Sequence, residues 1–204
     1  MGTHWSFDMK APIADIIQNE FVTLSPLLLT EARAYADIGK DADIWTYLSS
    51  GPLATLVDAE AWIAGMLQRG DQSGDVSFSV YDNASGHLAG SSSYLDVRRE
   101  HAGIEIGYTW YGKAFQRTRV NSATKLALLQ HAFEVLGVNR VQLQTDSRNQ
   151  ASQRAIERLG AVREGVLRKH KIYPDGYVRD SVMYSITTND WPAVKHRLAA
   201  YLIR

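Results

Sequence analysis

The sequence predicts a single α/β (α+β) domain, built on one mixed, mostly antiparallel twisted sheet with helices on both faces. Three observations lead there. The chain has 204 residues, 45% hydrophobic and 22% charged, enough for one well-buried core and cramped for two. Residues 76–111 hold three stretches of β-like pattern in a row, whereas helical and strand periods alternate afterwards. Helical stretches end at Gly39, Gly137 and Gly160, glycine being the residue that most readily takes the left-handed turn past a helix end. Such a mixed order suits one sheet covered by helices on two sides.

The elements follow in order. Residues 1–20 read as an N-terminal arm with weak periodicity. A short strand starts at Phe21 and stops before Pro26, and a helix runs from Leu29 to Ile38. Asp58 is a candidate N-cap for a second helix, which reaches about Gln68 and closes at Gly70. Val76–Tyr81, His87–Val97 and Gly103–Tyr111 form an antiparallel meander, with Asp82–Gly86 as the first turn. In the third strand Ile104, Ile106, Tyr108 and Trp110 alternate with Glu105, Gly107, Thr109 and Tyr111. A helix over Ser122–Leu136 carries Leu126, Leu129, Phe133 and Leu136 at helical spacing. Arg140–Thr145 is a strand, Asn149–Leu159 a helix, and Ala161–Ile172 with Val178–Thr187 a hairpin around Pro174-Asp-Gly176. A last amphipathic helix begins near Asp190-Trp-Pro192 and runs to the end.

Composition excludes several function classes. Lys and Arg balance Asp and Glu to a formal net charge of zero, which argues against a strongly basic nucleic-acid binder. No cysteine is present, so thiolate nucleophiles, disulfides and cysteine-ligated zinc are absent. No stretch approaches the ~20 apolar residues of a membrane span, and Met1–Lys10 lacks the pattern of a signal peptide. A cytoplasmic protein with no membrane partner is the expectation. Met1-Gly2-Thr3-His4-Trp5-Ser6 formally fits a myristoylation pattern, one loose enough to match by accident. The six histidines are scattered without paired ligand spacing, so no metal site is expected. No Gly-x-Ser-x-Gly elbow is present, which disfavours a serine hydrolase.

The segment richest in chemistry is the loop Gly112–Asn121 between the third meander strand and the following helix. The N–H groups of a helix N-terminus favour anions, and Lys113, Arg117 and Arg119 add positive charge. A pyrophosphate fits there; read alone, however, the same residues better describe a solvated basic loop.

Taken together, Glu105-Ile-Gly-Tyr-Thr-Trp110, Gln116-Arg-Thr-Arg-Val-Asn121, Asn149-Gln-Ala-Ser152 and Arg158-Leu-Gly-Ala161 resemble the GNAT acetyltransferase superfamily, in particular its RimJ/RimL-like branch. Glu164-Gly-Val-Leu-Arg-Lys169 and the Pro174-Asp-Gly176 turn are similar to the same branch. The resemblance spans roughly residues 20–190 and implies a GNAT fold, with a domain over 21–190 and residues 191–204 as a helix packed on it. It implies acetyl-CoA as co-substrate, a primary amine as acceptor and no metal, with a homodimer left open. The cofactor would lie against Tyr108, Thr109 and Trp110, the loop residues Gln116, Arg117, Thr118, Arg119, Val120 and Asn121, and Asn149 and Ser152.

One position departs from the family pattern. Its loop reads Gln/Arg-x-x-Gly-x-Gly/Ala, and here Arg119 stands at the first glycine and Asn121 at the last small residue. Arginine at positive φ would cost on the order of 1 kcal/mol, so either the loop is unstrained or Arg119 contacts a CoA phosphate. Glu105 is the catalytic candidate, because relatives place a carboxylate there as general base; the bland alternative is a solvent-facing strand carboxylate. An ammonium must lose a proton before it attacks a thioester, and a carboxylate needs burial or a relayed water for that task. Asn149 suits a helix cap, and Ser152, one turn on, could donate to the thioester sulfur. Relatives often place a tyrosine seven residues after that asparagine, where this chain has Ile156. Trp45, Tyr47 and Trp62 are either packing residues or the lining of an acceptor pocket. Against the transferase stands a module of the same fold that binds acyl-CoA or a partner without turnover.

Overall fold

The structure, a computed structural model, describes residues 9–203; the candidate myristoylation segment lies outside them. Strands β1 (Ile17–Gln18), β2 (Val22–Pro26), β3 (Val76–Asp82), β4 (Leu88–Arg98), β5 (Gly103–Tyr111), β6 (Arg140–Asp146), β7 (Val162–Ile172) and β8 (Val178–Thr187) form one sheet in the order β1-β2-β3-β4-β5-β6-β8-β7. Every pairing is antiparallel except β5 with β6. The helices are α1 (Ala32–Gly39), α2 (Leu56–Ser73), α3 (Val120–Gln130), α4 (Gln150–Leu159) and α5 (Trp191–Leu202). The GNAT-like architecture expected from the sequence is present.

Two apolar clusters place the helices. The larger joins Leu24, Phe78, Tyr94, Ile104 and Tyr111 of the sheet to Leu128 of α3, Leu159 of α4 and Leu198 of α5. The smaller packs α1 and α2 on the opposite face around Tyr35, Trp45, Trp62 and Trp110. Trp45 and Trp110 lie 4.7 Å apart between ring centroids and Tyr35 and Trp62 5.1 Å, so Trp45 and Trp62 are packing residues. Tyr47 is different and stands in the cleft described below.

Several boundaries differ from the sequence reading for local reasons. The second helix starts at Leu56 because Thr55 is the cap: its hydroxyl accepts the Asp58 N–H, and the Asp58 carboxylate accepts the Thr55 N–H. Asp58 is thus the far half of a capping box and not the cap. The helix passes through Gly70 and ends at Gly74, which takes φ 73°. Helix α3 continues as a wider π-helical stretch over His131–Leu136 and stops at Gly137, φ 71°. Within the segment read as an arm, Met9 is buried in the main core and β1 pairs with β2.

Candidate active site

Strands β5 and β6 are neighbours for three residues only, Gly103–Glu105 against Arg140–Gln142. Beyond that, β5 stays with β4 and β6 with β8, so the two part and leave backbone N–H and C=O groups of β5 without a strand partner. A cleft of about 810 Å³ opens at the parting. Its walls are β5 from Glu105 to Tyr111, the end of β6, one face of α4, part of α3, the Tyr47 loop and the β7–β8 hairpin.

A bulge shapes the β5 wall. Trp110 pairs with Ser91 and Gly107 with Ser93, so Tyr108 and Thr109 together face Ser92 alone, and Tyr108 takes φ 46°. The extra residue inverts the alternation beyond it. The sequence reading put Thr109 on the Glu105 face; instead Thr109 Oγ1 accepts a 2.6 Å hydrogen bond from Lys125 Nζ of α3 and lies 2.7 Å from Ser92 Oγ. Trp110 correspondingly enters the α1–α2 cluster and Tyr111 the α3 cluster.

Glu105 sits where the strands part and is 5% exposed, which overturns the alternative of an ordinary solvent-facing carboxylate. Its carboxylate accepts from Gln142 Nε2 at 2.9 Å and from Gln144 Nε2 at 2.7 and 2.9 Å. Gly107 leaves it room: a Cβ there would meet Leu95 Cδ1 at 2.6 Å and Glu105 Oε1 at 3.1 Å.

The structure divides the residues singled out from sequence. Glu105, Tyr108, Thr109, Trp110, Gln116, Asn121, Asn149 and Ser152 line the cleft, whereas Arg117, Thr118, Arg119 and Val120 do not. Asn149 caps α4 through its Oδ1, which accepts the Ser152 N–H at 3.0 Å. The Ser152 hydroxyl makes no hydrogen bond among the described residues. Ile156 also lines the cleft, one turn beyond Ser152. Gln116 Nε2 donates to the Tyr111 carbonyl at 3.0 Å. Thr118 Oγ1 accepts the Val120 N–H at 3.2 Å at the start of α3, and Val120 is buried in the core. Lys113 is engaged by Asp43 at 2.9 Å and Asp41 at 3.5 Å. Arg119 takes φ −70°, so the departure from glycine costs no strain there, and its guanidinium lies 5.0 Å from the Phe21 ring centroid. The left-handed residue of the loop is Arg117, at φ 60°.

Some residues in the cleft or supporting its rim escaped the sequence reading. Lys125 is 6% exposed, and burial pushes its ammonium down to about 7. Its signal was its place on the buried side of α3, four residues before Leu129. Asp146 is fully enclosed; burial alone would raise its carboxyl, but side-chain and backbone hydrogen bonds from Arg148 hold it below the usual range. The Arg148 guanidinium in turn lies 3.5 Å from the Tyr177 ring centroid and 5.7 Å from that of Tyr47. Tyr173 Oη donates to the Tyr47 carbonyl at 3.1 Å. The hairpin is thereby tied across one end of the cleft to the Tyr47 loop. Among the described residues no His, Cys, Asp and Glu group suited to a metal ion occurs, and no helix is long and apolar enough to cross a membrane.

Known proteins resemble this chain in sequence and in fold. Residues 22–162 match the family model described as an acetyltransferase (GNAT) domain. YdaF of Bacillus subtilis (strain 168), provisionally named a ribosomal N-acetyltransferase, is 28% identical over 87% of this chain and 97% of its own. A structure from T. thermophilus, provisionally named an acetyltransferase, is 40% identical, with a TM-score of 0.86 over 94% of this chain and 98% of its own. The structure of Mycobacterium smegmatis RimJ in complex with CoA-disulfide shares the fold, with a TM-score of 0.77 at 19% identity over 92% of this chain and 95% of its own.

Proposed function

The chain belongs to the GNAT acetyltransferase family and is an acyl-CoA-dependent N-acyltransferase, and on that footing we propose that it transfers acetyl from acetyl-CoA to a primary amine by direct attack in a ternary complex. The observation that carries this reading is Glu105, a buried carboxylate held by two amides at the point where β5 and β6 part. YdaF's name points to a ribosomal acceptor; the acceptor here is a protein N-terminus or a small amine.

The residues present fit acetyl-CoA. The unpaired edge of β5 offers backbone donors and acceptors to an extended amide-bearing arm, and the start of α3 offers N–H groups and the helix dipole to phosphates. Gln116 and Asn121, which line the cleft beside the start of α3, would meet that arm's phosphate end, with Arg117, Thr118, Arg119 and Val120 shaping the loop. When bound, acetyl-CoA supplies an acyl group activated as a thioester.

The chain's own groups do the rest. Glu105 takes a proton from the acceptor ammonium, directly or through one water, which leaves the amine free to attack. Backbone N–H groups near the Tyr108–Thr109 bulge face the carbonyl oxygen as it gains charge, a stabilisation that costs no reorganisation when the donors are fixed in advance. The free Ser152 hydroxyl donates to the departing sulfur. A thiol, with an ordinary pKa of about 8.5, needs little help to leave. The cleft walls hold amine and acyl group together, and well-oriented approach can supply roughly 7–11 kcal/mol.

A thiol-release assay with acetyl-CoA and a panel of primary amines, with product identified by mass, tests the reading. Turnover with at least one amine is expected. Acetyl-CoA binding without thiol release for any amine or N-terminal peptide would replace the transferase by an acyl-CoA-binding module.

A further inference from the structure

The hairpin end of the cleft holds an electrostatic imbalance that acetyl transfer to a simple amine does not explain. Lys171 and Arg179 are directly opposite each other on β7 and β8, and like charges in that relation repel. Both line the cleft, as does Arg69 of α2. Arg179 is 7% exposed, and its Nε and Nη2 are buried without a hydrogen-bond partner among the described residues. Its Nη1 alone is engaged, donating to Tyr173 Oη at 2.8 Å. A guanidinium enclosed with two idle N–H groups is costly unless an acceptor meets it.

The available carboxylates do not fill that need. Asp146 is near enough to be influenced by Arg179, but its oxygens accept from Arg148 and Tyr177, and it forms no ion pair with Arg179. Glu105 faces the same space and is taken up by Gln142 and Gln144. Burial lowers the Lys171 ammonium's pKa; Arg179 and Arg69 push the same way, and Glu105 and Asp96 oppose them. This end of the cleft therefore has cations in excess, and the carboxylates beside Arg179 and Lys171, Asp146 and Glu105, are already engaged.

We infer that the acceptor is a small amine that also bears a carboxylate, which Arg179 and Lys171 hold while the amine faces Glu105. The inference rests on the reading of the chain as an N-acetyltransferase and narrows its substrate class. A guanidinium's fork of N–H donors matches a carboxylate, and the idle Nε and Nη2 are two adjacent arms of that fork. A small molecule is favoured over a polypeptide because Tyr173 and Arg148 tie the hairpin to the Tyr47 loop across this end.

The test uses ω-amino carboxylates from glycine to 6-aminohexanoate, each beside the carboxamide of the same chain length. Thiol release is followed in the presence of acetyl-CoA, and calorimetry follows binding of the same compounds to the protein–CoA complex. At least one carboxylate should exceed its amide by about tenfold or more in kcat/KM and in affinity. Arg179→Gln and Lys171→Gln should each bring that ratio toward one, mainly through KM, while acetyl-CoA still raises the melting temperature. Lys171 is only half-buried, so its variant keeps the test open if Arg179→Gln fails to fold. Equal use of amides and carboxylates, a ratio unchanged in the folded variants, or a preference for peptides with a neutral second residue would overturn the inference. Selective carboxylate binding without thiol release would uphold the anion site and count against the transferase reading instead.

Discussion

Lys125 shows how a single side chain can be held at a cost. Its ammonium is enclosed beneath the β5 bulge with two hydroxyls, Thr109 and Ser92, and forms no ion pair with a carboxylate among the described residues. Burial lowers its pKa from 10.5 to about 7. Below about pH 7 the folded and unfolded chains both carry the proton, and the full cost of burying the charge is felt. Between about pH 7 and 10.5 the folded chain has released the proton while the unfolded chain keeps it, so stability from this group climbs with pH. Lys125→Met should therefore raise stability by several kcal/mol at pH 6, with most of that gain gone by pH 10. Melting curves of the two proteins that stay parallel across pH would show the residue to be uncharged throughout or solvated. Glu105 carries the opposite kind of expectation. Glu105→Gln keeps the shape and both amide neighbours but cannot take a proton, so kcat should fall roughly 10- to 1,000-fold with acetyl-CoA affinity nearly unchanged. The loss should shrink at high pH, where more of the amine is already neutral. Wild-type kcat across pH in a variant folded by circular dichroism would reduce Glu105 to a positioning group.

Strand β5 marks where the sequence stops being legible. Its limits, Gly103 and Tyr111, follow from the pattern, and so do β4, β6 and the hairpin, because period-2 runs between turn residues leave few alternatives. The bulge at Tyr108 leaves no such mark. Tyr108, Trp110 and Tyr111 are all large aromatics, so shifting the alternation by one residue still puts an aromatic on each face, and only pairing with β4 reveals which. That one residue moved Thr109 to the α3 side and Trp110 to the α1–α2 side, and hid the partnership of Thr109 with Lys125. The parting of β5 from β6 is likewise a matter of pairing between distant segments. Lys171 and Arg179 were more readable than they were read, since a hairpin centred on Asp175 places them opposite each other. Gly107 supplies the check on this strand. A methyl group there must displace Leu95 Cδ1 or the Glu105 carboxylate, so Gly107→Ala should cost about 1–3 kcal/mol and lower kcat together with stability. An unchanged melting temperature and rate would mean that the strand shifts freely, and that Glu105 is less firmly held than its hydrogen bonds imply.

The sheet, its two helical layers and the cleft between the parted strands would make CoA, if it binds as proposed, a structural element of the whole chain. CoA filling the cleft would bridge β5 on one side and α4 on the other, substituting for the strand pairing that stops at Glu105. A ligand that binds only the folded state stabilises it by mass action, by about 2.7 kcal/mol at a hundredfold excess over Kd. For a chain of this size that corresponds to a rise in melting temperature of roughly 5–10 °C. Acetyl-CoA should produce such a rise, and free CoA most of it, because the phosphate and pantetheine contacts are shared. The loop from Gln116 to Asn121 then decides how salt acts on the shift. The Arg119 guanidinium rests by the Phe21 ring in this structure; if it leaves that ring to meet a phosphate, Arg119→Gly should weaken CoA binding and flatten its salt dependence. If it stays, Arg119→Gly should leave affinity unchanged. Arg117 offers a control on the same loop, since Arg117→Gly relieves a left-handed conformation and should stabilise the free protein by about 1 kcal/mol. No thermal shift at saturating acetyl-CoA, with no calorimetric binding, would remove the cofactor from the cleft and with it the chemistry assigned to Glu105 and Ser152.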